Sequence, residues 1–354
     1  MPLEPIYATL LAFTVALFAA MALTVPVRQL ALRVGMVDHP GPRKLHLTPI
    51  PLLGGLAIYS SVLLAGLVSL DGPARAQMGG ILAGATLLVA VGILDDGGRL
   101  HHQIKLFVGM PIAALILLGS GVRAQFFETI LPGRAAYAGD VALTLFWVVG
   151  ITASFSIFDH MDGLCAGIAA IASFFFAVFA YRSGQVLVST LAAAVLGAAL
   201  GFLRWNFKPA KIFMGDGGAM LLGFLMATLG LKLRLTDLHH RVSWLIPVLI
   251  LGVPIFDTTL ITVSRSRRGL LPFTSPGKDH TAHRLANLGL GQRGAVLALY
   301  ALGLVTGSLA LLLGWLPIAA SSVLAAAVVI AAFIAIAALE RSPYERQSAL
   351  KNNH

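Results

Sequence analysis

Long apolar runs, separated by short junctions rich in glycine, proline and charge, recur along all 354 residues of the chain. A helix needs about 20 mostly apolar residues to cross the hydrocarbon of a bilayer. The pattern predicts spans at roughly 5–25, 50–70, 78–94, 104–120, 140–158, 164–181, 186–203, 213–231, 243–263, 295–315 and 317–338. The expected fold class is all-α: a polytopic membrane helical bundle of about 11 transmembrane helices. Residues 1–338 form one integral-membrane domain in this reading, and 339–354 a short polar tail. The opening MPLEPIYATLLAFTVALFAAMALTV has no basic leader before its apolar run, so it reads as a first spanning helix rather than a cleaved signal.

Composition agrees with a membrane setting. Only 11% of residues are charged, against roughly a quarter in soluble domains. The net charge of +10 could suggest nucleic acid, but the basic residues are scattered between spans with no basic aromatic platform, so no nucleic-acid partner is expected. Membrane topology and an anionic substrate or lipid explain the charge better. With an outside N-terminus, 18 of the 25 Lys and Arg fall in inside segments. This predicts a periplasmic N-terminus and a cytoplasmic C-terminus, with the loop at 232–241 the weakest fit. The single cysteine, Cys165, excludes an intramolecular disulfide framework and a clustered thiolate metal site.

The acids separate more sharply than the bases. Asp38, Asp95, Asp96, Asp159, Asp162, Asp216, Asp257 and Asp279 all fall in cytoplasmic segments or near cytoplasmic span ends, and they are eight of eleven aspartates. Carboxylates near hydrocarbon need an aqueous cavity, a partner cation or a metal. A site opening to the cytoplasm is the natural reading.

Several short stretches give that site candidate chemistry. VGILDDGGRL ends the third span with Asp95 and Asp96; adjacent residues can serve one centre only if the helix stops there, which Gly97 and Gly98 favour. The pair could hold Mg²⁺, or one carboxylate could bind metal while the other takes a proton; a solvated boundary pair is the plain alternative. In SIFDHMDGLCAG, Asp159 and Asp162 share a face if the stretch is helical. KPAKIFMGDGGAMLLGF places Asp216 at a glycine-rich helix start, where backbone N–H groups could meet phosphate while the carboxylate meets metal. FTSPGKDHTAHRLANLGL supplies His280, His283 and Arg284 for diphosphate or nucleotide contacts, and the first inside loop offers Arg43, Lys44 and His46. Asp257 lies about two turns inside the ninth span, where a cavity or an internal partner such as a histidine or serine could satisfy it.

Taken in order, these pieces resemble the polyprenyl-phosphate N-acetylhexosamine-1-phosphate transferases. The resemblance rests on D-H-P-x-x-R-K-x-H-x-x-P-x-P-x-x-G-G from Asp38, the Asp95–Asp96 pair, D-x-x-D-G-L-x-x-G from Asp159, F-M-G-D-x-G-A from Phe213, P-x-F-D from Pro254 and H-x-x-H-R-L from His280. It implies transfer of a hexosamine-1-phosphate, most naturally GlcNAc-1-phosphate, from a UDP-N-acetylhexosamine to undecaprenyl phosphate or a related polyprenyl phosphate. UMP would be released and a lipid-linked cell-envelope glycan begun. It further implies an active site on the cytoplasmic side of the bacterial inner membrane and Mg²⁺, with Mn²⁺ as an alternative. Asp216 matches a metal ligand, and Asp95 and Asp96 match an acidic pair assigned to metal or base. Asp159 and Asp162 match a cleft motif with catalytic residues. Arg43, Lys44, His46, His280, His283 and Arg284 match nucleotide-sugar or phosphate contacts. A homodimer is compatible with the resemblance.

Two departures stand out. Relatives commonly read N-x-x-N-x-x-D-G-x-D-G-L, whereas here Ala153 and Ser156 occupy the asparagine positions and His160 the first glycine. Relatives also commonly read H-x-H-H-R, whereas Ala282 stands at the second histidine. Ser156 and His160 are therefore candidates whose role the pattern leaves open. Other readings are a phospho-MurNAc-pentapeptide transferase or another hexosamine-1-phosphate transferase, a noncatalytic scaffold, and, from a different class, an ion-coupled secondary transporter. The acids cluster on one side and no repeat is evident, which disfavours the transporter.

Overall fold

The computed structural model describes residues 5–40, 48–100, 102–235, 240–271 and 277–342. Helices lie over all eleven predicted segments: α1 (Pro5–Arg33), α2 (Gly54–Ser69), α3 (Gly72–Asp96), α4 (His102–Ile104), α5 (Met110–Gly119), α6 (Gly133–Phe158), α7 (Leu164–Arg182), α8 (Val186–Asn206), α9 (Gly215–Lys232), α10 (His240–Ser243), α11 (Leu245–Ile250), α12 (Gly252–Arg267), α13 (Thr281–Leu285), α14 (Gly291–Leu313) and α15 (Ile318–Glu340). The protein is an all-α membrane bundle; among the described residues, seven helical stretches are long and apolar enough to cross a bilayer, and two shorter apolar helices accompany them. The fourth segment is a continuous helix that carries a π-helical turn at Lys105–Gly109, between α4 and α5. The ninth breaks between α11 and α12, and the helix before the last span is interrupted by a second π-helical turn at Ala286–Leu290. The last helix runs to Glu340, slightly into the expected tail.

Residues on these helices are sorted by size more than by polarity. On α1, Ala8, Ala12, Ala16, Ala20 and Thr24 are buried at every fourth position, while Tyr7, Leu10 and Phe18 are more than half exposed. Lipid offers no hydrophobic drive for helix association, so small residues that let backbones approach take the interior and bulky apolar ones face outward. The alanine stripe meets α8, where a Cβ at Gly197 or Gly201 would strike the backbone carbonyl of Phe13 or Leu17.

The same close approach sets the centre. α9 is buried almost all round, and its first turn lies between α2 and α3. A side chain at Gly55 would collide with Gly218, and one at Gly92 with Gly217. Backbone bonds fix the junction: Phe213 N–H donates to the Pro51 carbonyl at 2.8 Å, Gly54 N–H to that of Phe213 at 3.0 Å, and Gly55 N–H to that of Met214 at 2.8 Å. The Pro51 carbonyl belongs to a two-residue strand, β2 (Ile50–Pro51), paired antiparallel with β1 (Val37–Asp38). The proline- and glycine-rich first loop thus works in part as a seat for the start of α9.

At the opposite end of the bundle, polar contacts tie loops to helices. Asp140 is fully buried and accepts the N–H groups of Phe126 at 2.9 Å and Phe127 at 2.7 Å, with Arg123 at 3.3 Å. Arg234 donates to the Arg123 carbonyl at 3.2 Å, and Lys232 to Gln77 at 2.8 Å.

Because Gly92 touches Gly217, next to Asp216, Gly92→Ala should lower thermal stability in detergent by about 1–3 kcal/mol and shift the start of α9. Thermal melts of the purified variant check the first effect, and the accompanying change in turnover checks the second.

Candidate functional site

Four helix ends meet at one end of the bundle. α3 stops at Asp96, with Gly97 N–H bonding back to the Ile93 carbonyl at 3.0 Å, so both members of the acidic pair reach the same region. Asp95 accepts from the Lys105 ammonium at 2.7 Å. Lys105 also pairs with Asp216 in the first turn of α9, bridging two carboxylates. Asp96 accepts the backbone N–H of Asp216 at 3.0 Å, and its carboxylate lies where a Cβ on Gly215 would stand. Gly215 has φ +70, so both backbone and space demand glycine there. Ser156 Oγ donates to the other oxygen of Asp216 at 2.9 Å.

Asp159 caps the end of α6 and faces the same group. Burial pushes its carboxyl up to about 8, and the charges of Asp216, Asp96 and Asp162 add to the shift. Asp162 sits differently. The stretch from Asp159 to Gly163 is not helical, since α6 ends at Phe158 and α7 begins at Leu164, so the shared helical face expected for the two acids is not formed. Asp162 instead accepts the N–H of Ala210 at 3.0 Å, holding the loop between α8 and α9.

A second group adjoins the first through His160. The His160 ring stacks on His280, with centroids 4.1 Å apart at 29°, and lies 4.9 Å from His283. His280 Nδ1 pairs with the buried Asp257 at 2.8 Å, and Thr281 N–H donates to the other oxygen of that carboxylate at 2.7 Å. Asp257 therefore has the internal histidine partner that its depth required.

Arg284 is fully buried and engaged with protein: it donates to the carbonyls of Asp279 at 2.8 Å and Leu339 at 2.6 Å and to Ser264 at 2.9 Å, and pairs with Glu340 at 2.8 Å. Asp279 is gripped by Arg265 at 2.8 Å and also pairs with Arg268. Burial alone would push its carboxyl up, but the hydrogen bonds and charges of these arginines hold it at about 2. Arg43, Lys44 and His46 lie outside the described residues.

Lys105 is the site residue that sequence reasoning missed. Its only signal was a lysine at the inner boundary of an apolar run, nine residues beyond Asp96. The π-helical turn that begins at Lys105 breaks the periodicity that would have shown its face. Among the described residues, no three His, Cys, Asp or Glu side chains converge tightly enough to hold a metal ion unaided. Mg²⁺ commonly takes only one or two carboxylates, with substrate phosphates and water completing the shell. The oxygen-only set of Asp95, Asp96, Asp216 and Ser156 fits that habit, and the ammonium between two carboxylates shows that the spot favours a cation.

Residues 78–234 match glycosyl transferase family 4. The chain is 38% identical over 296 residues to a Bacillus subtilis protein named "Probable undecaprenyl-phosphate N-acetylglucosaminyl 1-phosphate transferase", covering 83% of this chain and 82% of that one. It is 34% identical to the decaprenyl-phosphate N-acetylglucosaminephosphotransferase of Mycolicibacterium smegmatis, over 77% of this chain and 74% of the relative. It is also 30% identical to the undecaprenyl-phosphate alpha-N-acetylglucosaminyl 1-phosphate transferase of Yersinia pestis, over 78% and 76%. With these matches running through the helices that carry the acidic cluster, the chain belongs to glycosyl transferase family 4, among the polyprenyl-phosphate N-acetylhexosamine-1-phosphate transferases.

Proposed function

We propose that the protein transfers GlcNAc-1-phosphate from UDP-GlcNAc to undecaprenyl phosphate, releasing UMP and beginning a lipid-linked envelope glycan. The observation that carries this reading is the meeting of Asp95 and Asp216 on Lys105, with Asp96 bonded to the Asp216 N–H and Asp159 beside them, at one end of an apolar bundle; the names of the relatives point the same way. In the reaction, an oxygen of the acceptor phosphate attacks the sugar-linked phosphorus of the donor. The P–O bond to UMP breaks, and UMP leaves with the electron pair. The acceptor phosphate has a second pKa near 6 and is mostly dianionic at neutral pH, so a carboxylate base is optional and direct displacement is preferred to an aspartyl intermediate.

Two anions must be brought together, and the chain's own groups bear on that. Asp216, with Asp95 or Asp96, would hold Mg²⁺. When bound, the ion supplies neutralisation of phosphoryl oxygens and of the departing UMP. Ser156 orients the Asp216 carboxylate, and the Lys105 ammonium, released from two carboxylates, is free to meet phosphate. His280 and His283 border the donor side, with Arg43, Lys44 and His46 as further phosphate contacts. Arg284 acts by positioning, since its guanidinium fastens the histidine loop to the end of α15. Asp162 acts likewise through the loop at Ala210. We read the bundle as eleven spans forming one transferase domain over 1–338, with the N-terminus periplasmic and the site on the cytoplasmic face of the inner membrane. A polyprenyl tail then stays in hydrocarbon, sparing about 0.8 kcal/mol per CH₂ otherwise exposed.

Purified protein given undecaprenyl phosphate, Mg²⁺ and a panel of UDP-sugars should yield a lipid gaining the mass of GlcNAc-1-phosphate, together with UMP. Divalent-independent substrate uptake into liposomes without lipid modification would overturn the reading in favour of a transporter. Asp216→Ala should cut turnover by about 10² or more while the protein remains folded by size-exclusion chromatography; near-normal activity would remove Asp216 from the site.

The Asp159 carboxyl carries a pH prediction. Its folded pKa of about 8 lies above the unfolded value of about 3.9, so its stabilising share is complete below the unfolded value and is lost as pH rises through the folded one. Without divalent cations, thermal stability should fall between about pH 4 and 8 and level off above. The slope should flatten in Asp159→Asn, as read by melts across that range.

A further inference from the structure

The two departures from the family pattern lie far apart in sequence, yet one feature of the structure involves both. Ala282 is fully buried in an apolar cluster with Phe158, Met161 and Leu164, so its position contributes no imidazole to the histidine group. His160, standing where relatives carry glycine, brings a third imidazole from the junction of α6 and α7 and stacks it on His280 beside His283. The ring directly follows Asp159 and so lies between the acidic cluster and the Asp257–His280 pair.

The nitrogens of His160 are not equivalent. Nδ1 lies 3.4 Å from the carbonyl of Ile157; a carbonyl only accepts, so Nδ1 carries the hydrogen of the neutral ring. That leaves Nε2 as an acceptor, and this nitrogen is buried with no hydrogen-bond partner among the described residues. A buried acceptor left unpaired forfeits the hydrogen bond that water would otherwise give it. Such a cost at the seam between the two halves of a site is one that a ligand can recover.

We infer that His160 is a donor-specificity residue whose Nε2 accepts a hydrogen bond from an N–H or O–H group of the nucleotide-sugar. The lone pair excludes a phosphate oxygen as its partner, because both would be acceptors. It selects the amide or hydroxyl of the sugar, or the ribose hydroxyl or ring N–H of the nucleotide. Because the nitrogen is covered, donor binding must shift the side chains packed around the His160 ring. This assignment rests on the transferase reading and refines it.

The test separates stacking from acceptance. His160→Phe keeps a flat ring against His280 but has no nitrogen, His160→Gln restores an accepting oxygen, and His160→Gly removes both functions. With UDP-GlcNAc and undecaprenyl phosphate, His160→Phe should raise the donor KM about tenfold and leave the acceptor KM within twofold. His160→Gln should recover at least part of that loss, and His160→Gly should match or exceed it. Competition by UMP identifies the source of the hydrogen: UMP affinity that survives in His160→Phe assigns it to the sugar, and affinity that falls in step assigns it to the nucleotide. A His160→Phe enzyme with wild-type donor KM overturns the inference and leaves His160 as a stacking prop. Absence of turnover in the wild-type protein would instead strike the transferase reading, a distinct outcome.

Discussion

Carboxylates at the end of an apolar bundle repel one another, and every other feature of the site is arranged around that repulsion. Lys105 answers it most directly, with one ammonium between Asp95 and Asp216. Removing one partner of such a partly buried group would strand charge where water is scarce, which is worse than never having assembled it. Asp96 is quieted differently, by accepting the N–H at the start of α9, where the helix dipole favours negative charge. Asp159 keeps its proton instead, because burial and the neighbouring carboxylates push its carboxyl up to about 8. The cluster is thus neutralised in three ways: by a cation, by a helix terminus and by a proton. A site that accepts phosphates with their counter-charge can draw on the first and third.

These groups meet because helices approach closely. The contacts of Gly92 with Gly217 and of Gly55 with Gly218 bring α2, α3 and α9 together with no side chain between them. The backbone bonds from Pro51, Gly54 and Gly55 hold the first turn of α9 at a fixed height. In lipid this packing cannot rely on expelling water, so geometric fit and backbone hydrogen bonding take its place. Chemistry and packing consequently share residues: the glycines flanking Asp216 serve both.

Much of this was legible in the sequence because hydrophobic run length and glycine punctuation are local signals. The helices fall over the expected segments, α3 ends at the paired acids as Gly97 and Gly98 suggested, and Asp257 meets a histidine. What escaped depended on the third dimension. Lys105 sits at a π-helical turn, where neither a 3.6-residue nor a heptad period assigns its face. The spacing of Asp159 and Asp162 gives them one face only in a helix, whereas Gly163 begins a new helix from a left-handed conformation, φ 78, and Asp162 turns to the Ala210 N–H. Arg284 resembled a phosphate ligand by motif; that its guanidinium is spent on the chain's own carbonyls and Glu340 depends on a contact 55 residues away. Asp140 drew no notice because nothing near it in sequence announces the loop it secures.

The Arg284 contact has a consequence for the end of the chain. α15 is mostly exposed along its length, with Ser321 and Ile336 its buried residues, and would pass for a lipid-facing appendage. Its final turn nevertheless supplies both the Leu339 carbonyl and the Glu340 carboxylate to a guanidinium in the protein interior. Trimming α15 there would take the Leu339 carbonyl and the Glu340 carboxylate from a buried guanidinium, and breaking a buried pair costs about 3–5 kcal/mol. The end of α15 and the histidine loop are mechanically one piece, so a disturbance of that last turn would be felt first at the mouth of the bundle rather than at its periphery.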